Sequence, residues 1–241
     1  MILTHLSSGP SPVGQSPWLR SRRKRIVDIA LSGLFLVVFG PLLLLTAIAI
    51  SIESPGSPLF TQQRIGLMGK PFTILKFRSL LISAAAYSTK LKSDNPLVTR
   101  VGRLLRDSGL DELPQLFNVL RGDMSLVGPR PELPFIAAGY EGWQARRLIA
   151  RPGITGWWQI HHRNDTPMHL NLEYDIHYIT CADWKLDFRI LVATAKLLMV
   201  ALWRGLSTGT GSGDGQGEGA ELDTVDHPRR DADAEGHLRS R

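Results

Sequence analysis

The chain has 241 residues, 43% of them hydrophobic and 21% charged, enough to bury one sizeable core but a poor fit to two equal domains. Its formal charge of +6 and pI near 9.8 call for an anionic partner, which could be a nucleic acid, an acidic bilayer or a phosphorylated substrate. The single cysteine, Cys181, excludes an internal disulfide framework, leaves no cysteine-rich zinc site and fits a reducing compartment.

Residues 1–19 are rich in Ser, Pro and Gly and read as a disordered tail. The basic cluster Arg20 to Arg25 follows, and belongs on the cytoplasmic side near anionic headgroups. Ile29 to Ile52 is strongly apolar and, at about two dozen residues, long enough to span a bilayer. A straight span would export everything after Ile52. Gly40-Pro41 interrupts the run near its middle, where proline removes a hydrogen bond and clashes with the preceding turn, so a sharp kink is expected. Each arm is then about a dozen residues, too short to cross but long enough to dip in and return. The run therefore reads either as a plain anchor or as a re-entrant helix hairpin with both ends cytoplasmic. A signal peptide does not fit, because the basic stretch starts only at Arg20 and no small-residue cleavage pattern precedes Pro55.

Pro55-Gly56-Ser57-Pro58 marks a turn. Leu59 to Arg64 and Pro71 to Phe77 read as two short strands joined around Gly66 and Gly69. Such a hairpin presents Lys76 and Arg78 from a rigid element, although edge strands also carry cations simply as protection. Arg100, Arg103 and Arg106 recur every three residues and share a helix face. That face needs an anion: headgroups, a diphosphate or solvent counterions.

Leu110, Leu113, Leu116, Phe117 and Leu120 recur at helical spacing, and Pro114 is tolerated only in a first turn. Asp111 and Glu112 then sit at the helix mouth, where the peptide dipoles and free N–H groups favour ionised carboxylates. An ionised, oriented carboxylate is a usable nucleophile. Acidic residues are also ordinary helix-start signals. What separates this window from the ordinary case is Arg130, held between Pro129 and Pro131 on a stiff loop. From there it can grip a phosphate with two parallel bonds at little entropic cost.

His161 and His162, with His169 and His177 further on, lack a metal-binding spacing and read as loop or surface residues. From Phe188 to Leu206 the chain is apolar except for Arg189, Lys196 and Arg204, which fall on one stripe, the pattern of a helix lying in the membrane interface. Trp203 suits the headgroup level, and a second span would have to bury three cations. The segment beyond Ser207 has almost no apolar content and reads as a second disordered tail.

Several ordered motifs resemble the bacterial sugar transferase family, the monotopic phosphoglycosyl transferases (undecaprenyl-phosphate hexose-1-phosphate transferases) that start lipid-linked glycan assembly. They are Gln62-x-Arg64-x-Gly66, Lys76-Phe77-Arg78, Arg100-x-Gly102-x-x-x-Arg106, LDELPQ from Leu110, NVLRGDMSLVGPRPE from Asn118, RPGITGWWQ from Arg151, and Asp175, Tyr178 and Asp187. The likeness runs from about Arg22 to about Trp203. Two positions depart from the family pattern. Gly40 stands where Ser usually precedes the proline, and Gly109-Leu110 replaces Ser-Leu, which is expected to loosen the approach to the acid pair.

The resemblance implies an α+β, mostly helical fold, a single monotopic domain with a re-entrant membrane helix hairpin, a short β-hairpin and interfacial amphipathic helices. Its parts would be a tail over 1–19, the basic flank and re-entrant helix over 20–52, a cytoplasmic catalytic domain over 53–206 with an interfacial helix over 188–206, and a tail over 207–241. It implies a place on the cytoplasmic face of the bacterial inner membrane and the first membrane step of exopolysaccharide assembly.

The implied reaction passes a sugar 1-phosphate from a UDP-sugar to polyprenyl phosphate and releases UMP. Asp111 is then the nucleophile, and Glu112 orients it or joins it in holding Mg2+. Lys76, Arg78, Arg106, Pro129, Arg130 and Gln159 would contact substrate, with Arg100 or Arg103 able to replace one of the cations. The stretch RPGITGWWQIHHRND looks more like members using UDP-glucose or UDP-galactose than those using acetamido sugars. Anionic membrane lipids are expected partners and a second copy of the chain a possible one, while nucleic acid is not, since no aromatic-basic interleaving occurs. The competing reading is a non-enzymatic basic membrane adaptor, which explains the charge and both apolar segments but leaves the acid pair and the Gly-Pro-Arg-Pro turn idle.

Overall fold

A computed structural model describes residues 14–82, 95–162 and 171–208, side chains included except at 162 and 204–208. All of these belong to one unit, Met1–Thr210. His169, the side chains of His162 and Arg204, and the tail from residue 209 onward lie outside the described residues.

Part of the segment that composition assigns to the amino-terminal tail is docked. Ser16 donates its N–H to the Ile179 carbonyl at 2.9 Å, its hydroxyl reaches the Ala182 carbonyl, and the Trp18 indole donates to Asp187 at 2.8 Å. After a 3₁₀ turn over Pro17–Arg20, Ser21 caps helix α1, Arg22–Glu53, by accepting the Lys24 N–H. The helix is continuous from Arg22 to Glu53, with Pro41 inside it. Most of the basic cluster forms its first turn, where Arg22 and Arg23 are exposed, as is Arg20 just ahead of it, while Lys24 and Arg25 are engaged by the fold. Lys24 is buried, with Nζ on Asp187 at 2.7 Å and on the Val127 carbonyl at 3.1 Å, and Arg25 donates to the carbonyls of Val119 and Leu120.

One face of α1 stays on the domain along its length. Asp28 accepts from the Ser125 hydroxyl and the Leu126 N–H. Leu31, Phe35 and Leu36 pack on the main core, and Leu43, Ala47 and Ile50 pack with Phe77 and Leu105 on a smaller one. At the far end Glu53 accepts the N–H groups of Arg100 and Val101 at 2.6 and 2.9 Å. The opposite stripe, including Val37, Val38, Leu44, Leu45 and Ile52, is exposed.

Strands β1, Leu59–Ile65, and β2, Pro71–Phe77, form the expected antiparallel hairpin, with Leu59 opposite Phe77 and Ile65 opposite Pro71. Helix α2, Arg100–Ser108, carries the three arginines and is followed by a 3₁₀ turn, Leu110–Glu112. Helix α3, Gln115–Arg121, starts only after Pro114, so the acid pair occupies a separate turn ahead of it and not its first turn. Strand β3, Ser125–Val127, leads into the Gly-Pro-Arg-Pro loop, then to α4, Pro134–Ala137, and a 3₁₀ stretch over Gln144–Ile149. Strand β4, Gly153–Thr155, pairs with β3 in parallel. Helices α5 (Trp157–His162), α6 (Leu172–Cys181) and α7 (Trp184–Thr208) complete a mostly helical α+β fold.

The main core gathers Leu116 and Val119 of α3, Met124, the β3 residues Leu126 and Val127, Ile149, Tyr178 and Ile179 of α6, and Ile190 of α7. It therefore sits directly beneath the loop that follows β3. Beyond Ile190, helix α7 leaves Met199, Val200 and Trp203 exposed, and Trp184 and Phe188 are exposed near its start.

Candidate active site

Gly109 sets the position of the acid pair. It ends α2 with φ +75°, a left-handed conformation that costs any residue with a Cβ, and the chain turns straight into the Leu110–Glu112 turn. Glycine here supplies the left-handed geometry with which the chain passes from α2 to the pair. The turn stands against β2. Lys76 Nζ meets Glu112 Oε1 at 2.6 Å, and Arg130 Nη2 reaches the same oxygen at 3.3 Å.

Asp111, next to Glu112 in the same turn, feels this group electrostatically. Lys76, Arg130 and Arg106 all act electrostatically on its carboxyl in favour of the charged form, whereas burial and the neighbouring Glu112 oppose it. Burial is the largest influence, and it pushes the Asp111 carboxyl above its ordinary range. The expected helix-mouth stabilisation of the ionised form is thus outweighed, because the pair is in a partly buried turn and not at an open helix end. Arg106 is held in place by its own hydrogen bond, Nε to Ser79 Oγ at 2.8 Å. Three cations acting on two adjacent carboxylates leave the group with a net positive charge when both are ionised, which is chemistry suited to an anion.

The loop bearing Arg130 is fixed by close backbone approach. A Cβ on Gly128 would lie 2.3 Å from the Arg151 carbonyl oxygen and 2.9 Å from Gly153 N, so the crossing of this loop with β4 has no room for a side chain. Pro129 and Arg130 line a concavity with Ile65, Gly66 and Pro152. Beneath them Arg147, with a relative exposure of 2%, bonds Glu132 at 3.2 Å, the Tyr140 hydroxyl at 2.8 Å and Asp175 at 2.5 Å. Desolvation and the nearby Glu132 push the Asp175 carboxyl up, while Arg147 opposes that shift.

A comparison with protein families matches residues 19–201 to the family described as bacterial sugar transferase. The chain belongs to that family. A relative from Caulobacter vibrioides named UDP-glucose:undecaprenyl-phosphate glucose-1-phosphate transferase is 43% identical, over 73% of this chain and 70% of its own. An uncharacterized sugar transferase, EpsL, from Bacillus subtilis is 41% identical over 74% of this chain and 88% of its own. A relative from Aeromonas hydrophila named UDP-N-acetylgalactosamine-undecaprenyl-phosphate N-acetylgalactosaminephosphotransferase is 38% identical over 73% of this chain, but the match spans only 43% of that longer protein.

Of the site residues anticipated in this family member, Asp111, Glu112, Lys76, Arg106 and Arg130 come together. Arg78 is turned elsewhere. It is buried and donates to the carbonyls of Ser54 and Pro55 at 2.6 and 2.7 Å, fastening the end of α1. Gln159 is buried beside the loop crossing, near Gly156 and Gly128, and among the described residues its amide has no hydrogen-bond partner. Arg100 and Arg103 are exposed on α2, and only Arg106 of the three is among the charges felt by Asp111. His161 packs against Trp157 in a tilted arrangement with ring centroids 4.3 Å apart, and His177 lies near the same indole.

Three groups escaped sequence reasoning. Arg147 follows Arg146 in an unremarkable basic pair, and nothing local marks it as the more buried. Lys24 hides in a run of cations. Arg64 was visible as part of a motif, but its partner, the Pro131 carbonyl at 3.2 Å, belongs to a distant segment.

Proposed function

We propose that this protein transfers a hexose 1-phosphate from a UDP-sugar to undecaprenyl phosphate through a covalent phosphosugar on Asp111. The observation that carries this reading is the placement of Asp111 beside Glu112 and within the field of Lys76, Arg106 and Arg130. An Asp111 oxygen attacks the sugar-proximal phosphorus of the donor. The bond from that phosphorus to the bridging oxygen breaks, UMP departs with that oxygen, and an acyl phosphate remains on Asp111. An oxygen of the lipid phosphate then attacks the same phosphorus, the bond to Asp111 breaks, and the carboxylate is regenerated with release of a lipid-linked diphosphosugar. Splitting the transfer in two means the soluble and the lipid polyanions need never occupy the cationic group together. Lys76, Arg106 and Arg130 offset charge on the phosphoryl oxygens, and Glu112 holds Lys76 and Arg130 toward the turn.

Asp111 and Glu112 are the residues that would hold magnesium. Their consecutive carboxylates are hard oxygen donors of the kind this ion takes in ones and twos, with substrate phosphates and water completing the shell. When bound, the ion offsets diphosphate charge beyond what the three side chains supply.

Membrane attachment fits the same reading. Both ends of α1 are fastened to one folded unit, through Lys24 and Asp28 at one end and Glu53 and the Arg78-bound carbonyls at the other. A helix so tied cannot leave its ends on opposite faces of a bilayer, so we place it as a monotopic element with an exposed apolar stripe in the cytoplasmic leaflet of the inner membrane. Anionic lipids then meet the exposed cations of the same surface.

The test is UMP release from a panel of UDP-sugars on adding undecaprenyl phosphate to purified protein, with and without magnesium. UDP-glucose is the expected donor, in line with the name of the Caulobacter relative. No UMP with any donor would favour the adaptor reading.

A further inference from the structure

The loop that carries Arg130 is held in an unusual way. Four consecutive carbonyls each accept a hydrogen bond from a donor brought in by another part of the chain. Pro129 O takes Gly153 N–H at 2.8 Å, Arg130 O takes Arg147 Nη2 at 2.7 Å, Pro131 O takes Arg64 Nη1 at 3.2 Å, and Glu132 O takes Ile65 N–H at 2.9 Å. Two of the four donors are backbone groups and two are guanidinium groups. Arg64 is itself steadied by Gln62, whose Oε1 accepts from its Nη2 at 2.7 Å. Arg147 is steadied by Glu132, Tyr140 and Asp175.

The consequence follows from chain stiffness. Pro129 and Pro131 already restrict the backbone on either side of Arg130. With the carbonyls clamped as well, the Arg130 side chain is the remaining freedom, and it leans toward Glu112 at 3.3 Å. A phosphate-gripping arginine works only if its fork arrives at the right place, and displacements of about 1 Å can cost a hundredfold in rate.

We propose that Arg64 and Arg147 are positioning residues for Arg130, acting through the Pro131 and Arg130 carbonyls and touching no substrate themselves. The inference rests on the proposed phosphoryl transfer only for its kinetic readout. Arg64 is the better probe, because it is half-exposed on β1, whereas Arg147 sits in a buried network whose loss could unfold the protein.

The experiment compares Arg64→Gln, Arg64→Lys, Arg130→Gln and the double variant Arg64→Gln/Arg130→Gln in two ways. In UMP release, Arg64→Gln is expected to lower kcat/KM for the UDP-sugar about 10- to 100-fold, with partial rescue by Lys, which keeps one donor for Pro131. Added to Arg130→Gln, the same change should cost less than about twofold, because its effect passes through Arg130. In amide hydrogen exchange, Arg64→Gln should speed exchange at Ile65 and across Gly128–Leu133 while leaving α6 protected. Losses that multiply in the double variant would overturn the proposal, as would unchanged exchange in the loop. If wild-type protein releases no UMP from any donor, the transferase reading falls, and the exchange data still decide the clamp.

Discussion

At Asp111, burial and attraction pull against each other. Burial raises the carboxyl's pKa, while Lys76, Arg130 and Arg106 pull it down without cancelling that effect. A carboxyl whose folded pKa lies above its unfolded value contributes stability that is present at low pH and lost as pH rises through the folded pKa. Asp111→Asn removes that loss. Its Tm at pH 8 is therefore expected to equal or exceed that of the wild type, while UMP release falls roughly a thousandfold or more. A thermal melt beside the activity assay checks both, and a variant that turns over normally would remove Asp111 from the chemistry. In the proposed transfer the same displacement reaches catalysis, because only an ionised carboxylate would attack. The acid limb of the kcat/KM profile, which reports the free protein, should fall above 3.8, the ordinary value for this group; a limb at or below it would count against Asp111 as the titrating group. The acid pair was legible as an adjacent pair beside a helix and a Pro-Arg-Pro loop. Its charge state was not, since desolvation depends on what folds over the turn.

Among the elements, the β1–β2 hairpin was the most legible, because two short segments bounded by Pro and Gly turn signals leave few alternatives. The helix after the acid pair was read with its start too early. Pro114 is compatible with several positions near a helix start, and the pause in a 3₁₀ turn depends on Gly109 and on contact with β2. Gly109→Ala should cost about 1–2 kcal/mol, measurable by chemical denaturation, and should weaken the donor reaction by shifting the pair. The β3–β4 pairing left no trace in the sequence, since three-residue strands have no period to detect and their partners are far apart in the chain. Arg78 has partners that its motif does not encode: its guanidinium donates to the carbonyls of Ser54 and Pro55. Arg78→Met should therefore lower stability by about 2 kcal/mol or more, and the expected signature is a lowered denaturation midpoint instead of a raised KM for the UDP-sugar.

Across the whole molecule, the docked face and the exposed apolar face of α1 run along the same helix, so in the proposed monotopic arrangement the surface entering lipid would be continuous with the surface that supports β3 and the arginine loop. In a Cys181→Ser background, single cysteines at Arg20 and Lys70 should both react with a membrane-impermeant maleimide in inside-out vesicles and neither in right-side-out ones; labelling from opposite sides would mean that α1 crosses. The chain by itself determined the apolar run, the hairpin, the acid pair and the stiff Pro-Arg-Pro loop, because each rests on short-range periodicity or on the restricted backbone of proline. Only the tertiary structure decided that Lys24 is a buried anchor, that Arg78 serves α1, and that Arg64 and Arg147 hold the loop. Those roles come from carbonyls and carboxylates contributed by distant segments, and no local pattern encodes which donor will meet them.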